Sequence, residues 1–358
     1  MINAEKRKNK LQTFKAIIIG GGPAGISTAL NLINLGITDI LVVEKHIFPR
    51  YKCCAGYITA KTKKFYEKLG LKVEDCHYSL IKDFKILYKF KSKLKIVNKF
   101  LYTNRRIDRV ELDDSFYRLA VSKGIDMLQG LKITAHNKEE NSIELSDGSK
   151  LYYENLIFAD GTCGFGSRYQ KNRKRNIAMQ LTFENDAAEA IDIHFGITKR
   201  GYAWVSSYGG ITNVGMTDVY KSAKDYKSVF KKFLQDLNLN ADIENLKSAF
   251  TPIGVGKAVI NGNVFFVGDA VGACDPLTLS GLRYGLKNGE YCALAIAKGN
   301  NKIYKKHIRK FKIKFAFMKI LLKVFYLKST LFIGFNVFCR CFGNSVAKIF
   351  NNFFVNKK

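Results

Sequence analysis

The stretch KAIIIGGGPAGISTALNLINLGITDILVVEK, residues 15–45, decides the fold class of this chain. Its apolar, β-branched run Ala16–Ile19 leads directly into a glycine-rich turn, and a helical pattern then continues to Leu35. A second apolar run, Ile40–Val43, ends at the acidic residue Glu44. A strand, a helix and a second strand in this order are typical of a parallel sheet with crossover helices. The sequence therefore predicts an α/β fold.

The glycines Gly20-x-Gly22-x-x-Gly25 have the spacing of a dinucleotide-binding turn. Gly20 permits the tight turn, Gly22 lets the backbone approach a pyrophosphate, and Gly25 lets the helix pack closely on the strand. The N-terminus of the helix offers free N–H groups and a positive dipole end to the phosphates. Glu44 lies 19 positions after Gly25, where an acid can accept hydrogen bonds from ribose hydroxyls. This pattern alone does not choose between NAD and FAD.

The net charge of the chain indicates which classes of partner it can bind. Its 358 residues are 47% hydrophobic, within the globular range, but the formal net charge is +29. Such a charge predicts an anionic partner: nucleic acid, an acidic substrate or anionic lipid. The sequence contains no nucleic-acid recognition motif and no separate basic domain, so we expect no nucleic-acid partner. No oligomeric state is predicted.

The N-terminus and the cysteines predict a cytoplasmic, reducing environment. Residues 1–15 are basic and contain neither a long apolar segment nor a small-residue cleavage site, so we expect no secretory signal. The eight cysteines form no Cys-x-x-Cys pairs and no zinc-ligand spacing, so we expect no metal site. The neighbours Cys53 and Cys54 cannot easily bridge to each other.

Two later stretches repeat the pattern of a strand that ends at an acid beside a glycine. One is YENLIFADG, residues 153–161, and the other is NVFFVGDAVG, residues 263–272. A loop that contains Pro276 follows the second, and a helix is predicted from about Gly281. An acid suits sugar hydroxyls, and the start of a helix can stabilise an anionic reduced flavin.

In this order the three motifs resemble the FAD-binding set of the p-hydroxybenzoate-hydroxylase-like flavoproteins. The sequence pattern GDAVG…DPLT…GLRYGLKNG looks most like that of the geranylgeranyl reductase branch. The resemblance implies a Rossmann-like FAD-binding domain, an inserted antiparallel β-sheet substrate domain and a C-terminal helical segment. By it, Asp269 binds the ribitol and the loop from Pro276 to Leu282 lies along the flavin ring.

The stretch IDRVELDD resembles the same family's Arg-x-x-hydrophobic-Asp helix, with Arg109 and Asp113 in those places. That similarity implies that Arg109 reaches the cofactor and that a strand ending near Ile133 passes the adenine. The residues expected to bind FAD are Gly20, Gly22, Ala24, Gly25, Glu44, Lys45, Ala55, Gly56, Arg109, Ile133, Asp160, Gly161, Gly268, Asp269, Pro276, Gly281 and Leu282.

The resemblance and the alternation of apolar residues give the expected domain limits. We expect the FAD-binding domain at residues 11–80, 104–170 and 255–300, the substrate domain at 81–103 and 171–254, and a basic amphipathic segment at 301–358. Period-two alternation, as in AMQLTFEN and AIDIHFGI, predicts antiparallel strands in the inserted domain.

The stretch GYAWVSSYGGITNVGM resembles the Tyr-x-Trp motif of the reductase branch and predicts catalytic roles for Tyr202 and Trp204. Two positions apart in a strand, they share one sheet face, which either lines the substrate cavity or packs in the core. His194, alone in its strand, is interpreted as structural rather than catalytic. Two departures from the branch, Val205-Ser206-Ser207 and Leu279-Ser280, prevent a direct transfer of the family's substrate.

The segment Lys52-Cys53-Cys54-Ala55-Gly56 matches a Lys-x-Cys-Gly-Gly-like element of the reductase branch. The match places Cys54 at the family's cysteine, with Ala55 in place of the first glycine, and leaves Cys53 unmatched. Cys54 is therefore expected beside the flavin, as a redox or proton-donating catalytic residue or as a packing residue.

The C-terminal residues mix lysines with aromatic and aliphatic side chains. The longest uncharged run, Ser329–Cys339, has eleven residues, too few for the roughly 20 that span a bilayer as a helix. A basic amphipathic helix pair on an anionic membrane, or a helical lid packed on the core, is expected instead. The first alternative predicts a peripheral protein on the inner face of the membrane.

Three functions follow. The first is an FAD-dependent reductase of C=C bonds in an isoprenoid or other lipid. The second is an FAD-dependent monooxygenase acting on an aromatic or lipid substrate, and the third is a non-catalytic flavin-binding redox or membrane-associated protein. Because the chain has one dinucleotide fingerprint, NAD(P)H would bind transiently, or a ferredoxin-type donor would supply the electrons.

Overall fold

The computed structural model describes residues 13–81, 83–95, 105–170, 173–276 and 278–326. The strands in these residues are β1 (Thr13–Ile19), β2 (Ile40–Glu44), β3 (Tyr57–Ile58), β4 (Tyr78–Leu80), β5 (Phe84–Tyr88), β6 (Lys91–Lys95), β7 (Arg105–Ile107), β8 (Asp126–Gln129), β9 (Ile133–Asn137), β10 (Ser142–Leu145), β11 (Lys150–Phe158), β12 (Arg175–Glu184), β13 (Ala190–Phe195), β14 (Tyr202–Tyr208), β15 (Ile211–Val219), β16 (Lys247–Pro252), β17 (Ile260–Asn261) and β18 (Val264–Phe266). The helices are α1 (Pro23–Asn34), α2 (Ala60–Lys68), α3 (Arg109–Ser122), α4 (Tyr226–Asp236), α5 (Leu282–Ala297) and α6 (Asn301–Tyr326).

The first sheet is mostly parallel and has the strand order β17-β18-β11-β1-β2-β8, with the hairpin β9–β10 attached to β11. The strands β18, β11, β1, β2 and β8 all run in one direction, and β1 lies between β11 and β2. The side chains of β2, of β18 and of the carboxyl halves of β1 and β11 are buried, as expected of a parallel sheet covered on both faces. The carboxyl ends of β1, β11 and β18 therefore meet at one edge, where Gly20, Asp160 and Gly268 follow.

Helices α1 and α5 pack together because small residues face each other. Gly289 leaves no room for a side chain, since an added Cβ would lie 2.7 Å from the Thr28 nitrogen. The Ser27 hydroxyl donates to the Leu286 carbonyl oxygen at 2.8 Å, which fixes the two helices in register. This contact fixes the start of α5 close to the glycine turn that precedes α1.

The second sheet has seven strands in the order β16-β12-β15-β14-β13-β5-β6 and is antiparallel except for the pair β13–β5. Helix α4 covers one face, where its Phe230 and Phe233 join Val214 and Met216 in a separate apolar cluster. The opposite face carries Tyr202 and alternate residues along β14. A third, small sheet has the order β3-β7-β4. The predicted mixed α/β flavoprotein architecture is confirmed.

Some elements differ from the sequence prediction. The strand expected to end near Ile133 is two strands: β8 ends at Gln129, and β9 begins at Ile133. Gly130 lies between them with φ +75°, a conformation that ends a strand and favours glycine. The predicted strand KLKIVNKF, residues 93–100, lies partly outside the described residues, as do residues 327–358 of the C-terminal segment.

Helix α6 packs its inner face on α5 and on the parallel sheet. The His307 ring stacks on Tyr291 at 3.8 Å, Phe315 meets Tyr284 edge-on, and the Tyr304 hydroxyl donates to the Phe266 carbonyl oxygen at 2.6 Å. The first part of the C-terminal segment is therefore a helix that covers the core, as one of the two alternatives expected.

Candidate functional site

The glycine turn after β1 forms a cradle without side chains. Gly20 has φ +109°, and a Cβ there would lie 2.6 Å from the Ala159 carbonyl oxygen. A Cβ on Gly25 would overlap the Gly20 carbonyl oxygen, and one on Gly268 would lie 2.7 Å from the Ala24 side chain. The turns that follow β1, β11 and β18 therefore all lie close to the N-terminus of α1. Free N–H groups at this N-terminus can bind phosphate.

Glu44 holds this turn in place. Its buried carboxylate accepts hydrogen bonds from the Gly21 N–H at 2.9 Å and the His46 N–H at 3.1 Å. Each carboxylate oxygen can accept further bonds, so Glu44 still has capacity for ribose hydroxyls. The carboxylate therefore both shapes the turn and suits the predicted role.

Arg50 is a cation at this site that sequence reasoning did not assign. Its Nη2 lies 3.4 Å from where a Cβ on Gly22 would be, so the guanidinium borders the space above the turn. Its Nε lies 3.7 Å from Glu44 and its Nη1 3.4 Å from Asp113. A guanidinium that borders both a phosphate cradle and two carboxylates suits the pyrophosphate of a dinucleotide.

Arg109 and Asp113 form a buried, two-point ion pair on the first turns of α3. The Arg109 Nε and Nη2 donate to Asp113 at 2.8–3.0 Å, and both residues are almost inaccessible. Asp113 also faces Arg50, so it links α3 to the glycine turn. The guanidinium predicted to reach the cofactor is thus held by Asp113.

Asp160 lies beside Gly20 with its carboxylate only half satisfied. Its Oδ2 accepts from the Gly166 N–H at 2.8 Å, while its buried Oδ1 has no partner among the described residues. Burial raises the pKa of Asp160 to about 6. An orphaned buried oxygen at this edge is what a cradle for a hydroxyl-bearing cofactor would contain.

The raised pKa predicts how stability depends on pH. The folded pKa exceeds the unfolded one, so the ionised carboxylate destabilises the folded chain above about pH 6, and that cost disappears as pH falls toward 4. Asp160→Asn should therefore stabilise the FAD-free protein by about 2 kcal/mol at pH 8 and by nearly nothing at pH 4. Urea unfolding at a series of pH values measures this. A pH-independent difference between the two proteins would contradict it.

The second acidic motif lies at the start of α5. An added Cβ on Gly281, the N-cap residue of α5, would be 3.1 Å from Asp269 Oδ1. Arg173, also missed from the sequence, donates to the Ala270 carbonyl oxygen at 2.8 Å and to the Thr162 carbonyl oxygen at 3.2 Å. It thereby connects the loops that follow Asp160 and Asp269.

The loop before α5 is held by Asp275. This buried carboxylate accepts from the Thr278 N–H at 3.2 Å and from the Tyr284 hydroxyl at 3.3 Å. Leu279 adopts φ +53°, a strained conformation for a branched side chain and one that glycine would adopt freely. This is the position where the sequence departs from the reductase branch, and the loop keeps the left-handed backbone despite it.

Tyr202 and Trp204 share the sheet face that points away from α4. The Tyr202 hydroxyl donates to the Thr278 carbonyl oxygen at 2.8 Å, so this face touches the loop before α5. Trp204 is buried over Gly215, and its Nε1 donates to Asn213 Oδ1 at 2.7 Å. Trp204 is therefore held within the second sheet, whereas Tyr202 contacts the loop before α5.

Two further contacts join the same sheet face to residues outside the second sheet. The Gln180 side chain donates to the Tyr51 hydroxyl at 2.8 Å, and the Arg106 guanidinium lies 3.8 Å from the centre of the Tyr208 ring. Tyr51 and Arg106 come from the chain on either side of the Cys54 segment. The sheet face and the dinucleotide edge therefore enclose one site between them.

Cys53 and Cys54 lie at this junction as free thiols. The Gly56 N–H donates to Cys54 Sγ at 3.5 Å, and Gly56, with φ +75°, approaches Ile107 so closely that no side chain would fit. Burial, followed by the nearby Cys54, raises the pKa of Cys53 to about 11. The segment is thus bound to β7, next to Arg106.

Comparison with known proteins agrees with this geometry. A family model for an FAD binding domain matches residues 13–143. A menaquinone reductase of Mycobacterium tuberculosis is 24% identical over 77% of this chain and 75% of its own. A digeranylgeranylglycerophospholipid reductase of Methanococcus vannielii is 23% identical over 81% of this chain and 79% of its own. The solved structure of a geranylgeranyl bacteriochlorophyll reductase-like protein from Thermoplasma acidophilum covers 89% of each chain, with a TM-score of 0.78 and 19% identity.

The chain is an FAD-dependent oxidoreductase that is similar to geranylgeranyl-reductase-like proteins. Most residues expected to contact FAD in this oxidoreductase gather at the carboxyl edge of the parallel sheet. Ile133 is the first residue of β9 rather than the end of a strand, although the Leu131 N–H donates to the Glu44 carbonyl oxygen at 3.3 Å and keeps the preceding turn at the edge.

Two negative expectations can also be compared with the described residues of the oxidoreductase. His194 lies on the face covered by α4, against Phe90 and Phe233, and burial lowers its pKa to about 4. Its place outside the enclosed site fits the structural interpretation. Within the described residues no group of His, Cys, Asp or Glu could hold a metal ion.

Proposed function

We propose that this oxidoreductase reduces C=C bonds of an isoprenoid or other lipid at a membrane surface, with the seven-stranded sheet as its substrate domain. The observation that carries the proposal is the Tyr202–Thr278 hydrogen bond, which joins the aromatic sheet face to the loop before α5. The named reductases with similar sequences, one of menaquinone and one of a digeranylgeranyl lipid, support the substrate class.

The glycine cradle, the partly unsatisfied Asp160 and the guanidinium of Arg50 fit FAD. When bound, reduced FAD would supply the hydride. Residues of this chain would bind the cofactor and protect the substrate. Glu44 and Arg50 would hold the dinucleotide, and the sheet face around Trp204 would exclude water from the alkene. We assign the role of holding or delivering the proton to Cys54 or Tyr202.

The decisive experiment uses purified protein with its visible spectrum and its co-purifying lipid identified by mass spectrometry. We expect bound FAD and, under strict anoxia with a reductant, saturation of a polyprenyl lipid. Reduction by NAD(P)H should be compared with reduction by a ferredoxin. If turnover instead requires oxygen and inserts it into the product, the monooxygenase alternative replaces the proposal. A colourless protein that cannot bind flavin would overturn both.

Separate substitutions of Cys53 and Cys54 test whether Cys54 acts as a proton donor. Cys54→Ala should leave FAD bound but slow lipid reduction by at least about tenfold, because a positioned proton donor is lost. Cys53→Ala is the matched control and should change turnover by less than about twofold, since only Cys54 matches the family's cysteine. Equal turnover of the two variants would assign Cys54 to packing.

The outer face of α6 supports attachment to anionic lipid. Ile313, Phe317 and Ile320 are exposed at helical spacing, and Phe317 keeps 56% of its surface accessible. The helix contains Lys and Arg but no Asp or Glu. An apolar stripe flanked by cations is the pattern of a helix that lies in a membrane interface. No helix in the described part of the chain is long and apolar enough to cross a bilayer.

This attachment can be measured by sedimentation with vesicles that contain phosphatidylglycerol. Phe317→Glu should weaken binding about tenfold, because the exposed aromatic side chain that would enter the membrane is replaced by an anion. Val121→Glu, at an exposed apolar position of α3, is the control and should bind as the original protein does. Equal binding of both variants would mean that α6 does not contact the membrane.

A further inference from the structure

Arg106 is a buried cation at the far end of the enclosed site. It lies on β7, between Tyr57 of β3 and Ser79 of β4, and only 6% of its surface is exposed. Its Cδ lies 3.4 Å from where a Cβ on Gly56 would be, and its guanidinium covers the Tyr208 ring at 3.8 Å. The side chain is therefore inserted between the Cys54–Gly56 segment and the sheet face.

The guanidinium of Arg106 is only partly satisfied by the described residues, among which Tyr208 interacts with it. Its Nε and Nη1 are buried and have no hydrogen-bond partner there. Arg109, three residues later, shows the contrast, because Asp113 accepts its hydrogen bonds at two points. An arginine stays charged when buried, so an unpaired guanidinium in such a position costs stability unless a ligand supplies the anion.

Two more buried polar atoms on the same sheet face lack partners among the described residues. They are Gln180 Oε1 and Ser206 Oγ, in residues that are 3% and 2% exposed. Gln180 lies across β15 from Trp204, and Ser206 precedes Tyr208 by two positions, so all of them share the face. Buried polar groups are normally hydrogen-bonded, so three orphans on one surface indicate a polar ligand.

The two ends of this face differ. Tyr202, at one end of β14, contacts the loop before α5, whereas Tyr208, at the other end, lies under Arg106. Tyr202 and Tyr208 are six positions apart, a separation of roughly 20 Å in a strand. A long ligand can therefore lie along β14, with a polar end near Arg106 and its chain extending toward Tyr202.

We propose that Arg106 binds an anionic oxygen of the substrate's head group, a phosphate or carboxylate, while the lipid chain lies along β14 toward Tyr202. The proposal rests on the proposed function for the orientation of the substrate. Arg106 then determines specificity: it favours an acidic amphiphile over a neutral lipid with the same chain.

The test is equilibrium binding of two saturated ligands that cannot be reduced, phytanyl phosphate and phytanol, to the FAD-loaded protein in the same detergent. We expect the original protein to bind the phosphate about 10- to 100-fold more tightly, as charge-assisted hydrogen bonds predict. Arg106→Gln should remove this preference and leave phytanol affinity and FAD content unchanged. Arg106→Lys should restore part of it, and Arg118→Gln, at an exposed arginine of α3, should have no effect.

Three results would overturn the proposal. The original protein binds both ligands equally, or Arg106→Gln weakens both alike, or Arg106→Gln releases FAD, which would assign the guanidinium to the cofactor. Because the ligands do not react, the result is independent of turnover. A protein that reduces no lipid but prefers phytanyl phosphate through Arg106 would refute the proposed function and support the head-group site.

Discussion

Gly25→Ala should reduce FAD affinity by at least about a hundredfold. The new Cβ would overlap the Gly20 carbonyl oxygen and lie 3.2 Å from the Ala159 side chain, and these two residues directly follow the central strands β1 and β11. Helix α1 must then move away from β1, and its free N–H groups lose their position against the phosphates. FAD content after purification and the dissociation constant from flavin fluorescence measure the effect.

Gly36→Ala separates this effect from a general loss of stability. Gly36 follows α1 with φ +82° and has no atom within 4 Å of an added Cβ. Alanine there costs about 1 kcal/mol of backbone strain and does not disturb the cradle. FAD binding by Gly25→Ala that equals that of Gly36→Ala would show that the close approach of α1 to β1 does not position the cofactor.

Asp113→Asn should lower the free energy of unfolding by about 3–5 kcal/mol, because it leaves the buried guanidinium of Arg109 without an anion. Arg50, 3.4 Å from Asp113, loses one of its two carboxylate neighbours as well. Urea denaturation followed by circular dichroism measures the change. We expect weaker FAD binding in the same variant, since Arg50 borders the glycine turn.

A double variant tests whether the unpaired charge causes this loss. Arg109→Met with Asp113→Leu removes both charges and keeps the volume, and such replacements of buried ion pairs are often nearly neutral. The double variant should therefore be more stable than Asp113→Asn alone. If it is equally or more destabilised, the position requires polar side chains for another reason.

The parts of the site that were predictable from sequence are those coded locally. The spacing of Gly20 and Gly25 is enough to predict the glycine turn. The position of Glu44 follows from the length of one βαβ unit. Arg106 and Arg173 could not be assigned from the sequence because their partners are distant along the chain: Arg106 meets Tyr208, and Arg173 meets Ala270. Spacing within one stretch cannot reveal such contacts.

The fold shows the same limit. The sequence predicts a strand that ends near Ile133, but Gly130 in a left-handed conformation follows the end of β8, and β9 begins at Ile133. For the C-terminal segment, a lid on the core and a membrane-facing helix were treated as alternatives. Helix α6 packs its Tyr304 and Phe315 inward and leaves Phe317 outward, so the lid describes its inner face, and attachment to a membrane is our proposal for its outer face.

The order of the three motifs has a consequence for biosynthesis. The central strand β1 is made first, but its neighbour β11 follows more than a hundred residues later, and β18 and α5 later still. The cradle at Gly20 is complete only when Gly268 and the start of α5 have left the ribosome. A nascent chain that stops before β18 lacks one wall of the cradle, so the cofactor would be loaded at the end of synthesis rather than during it.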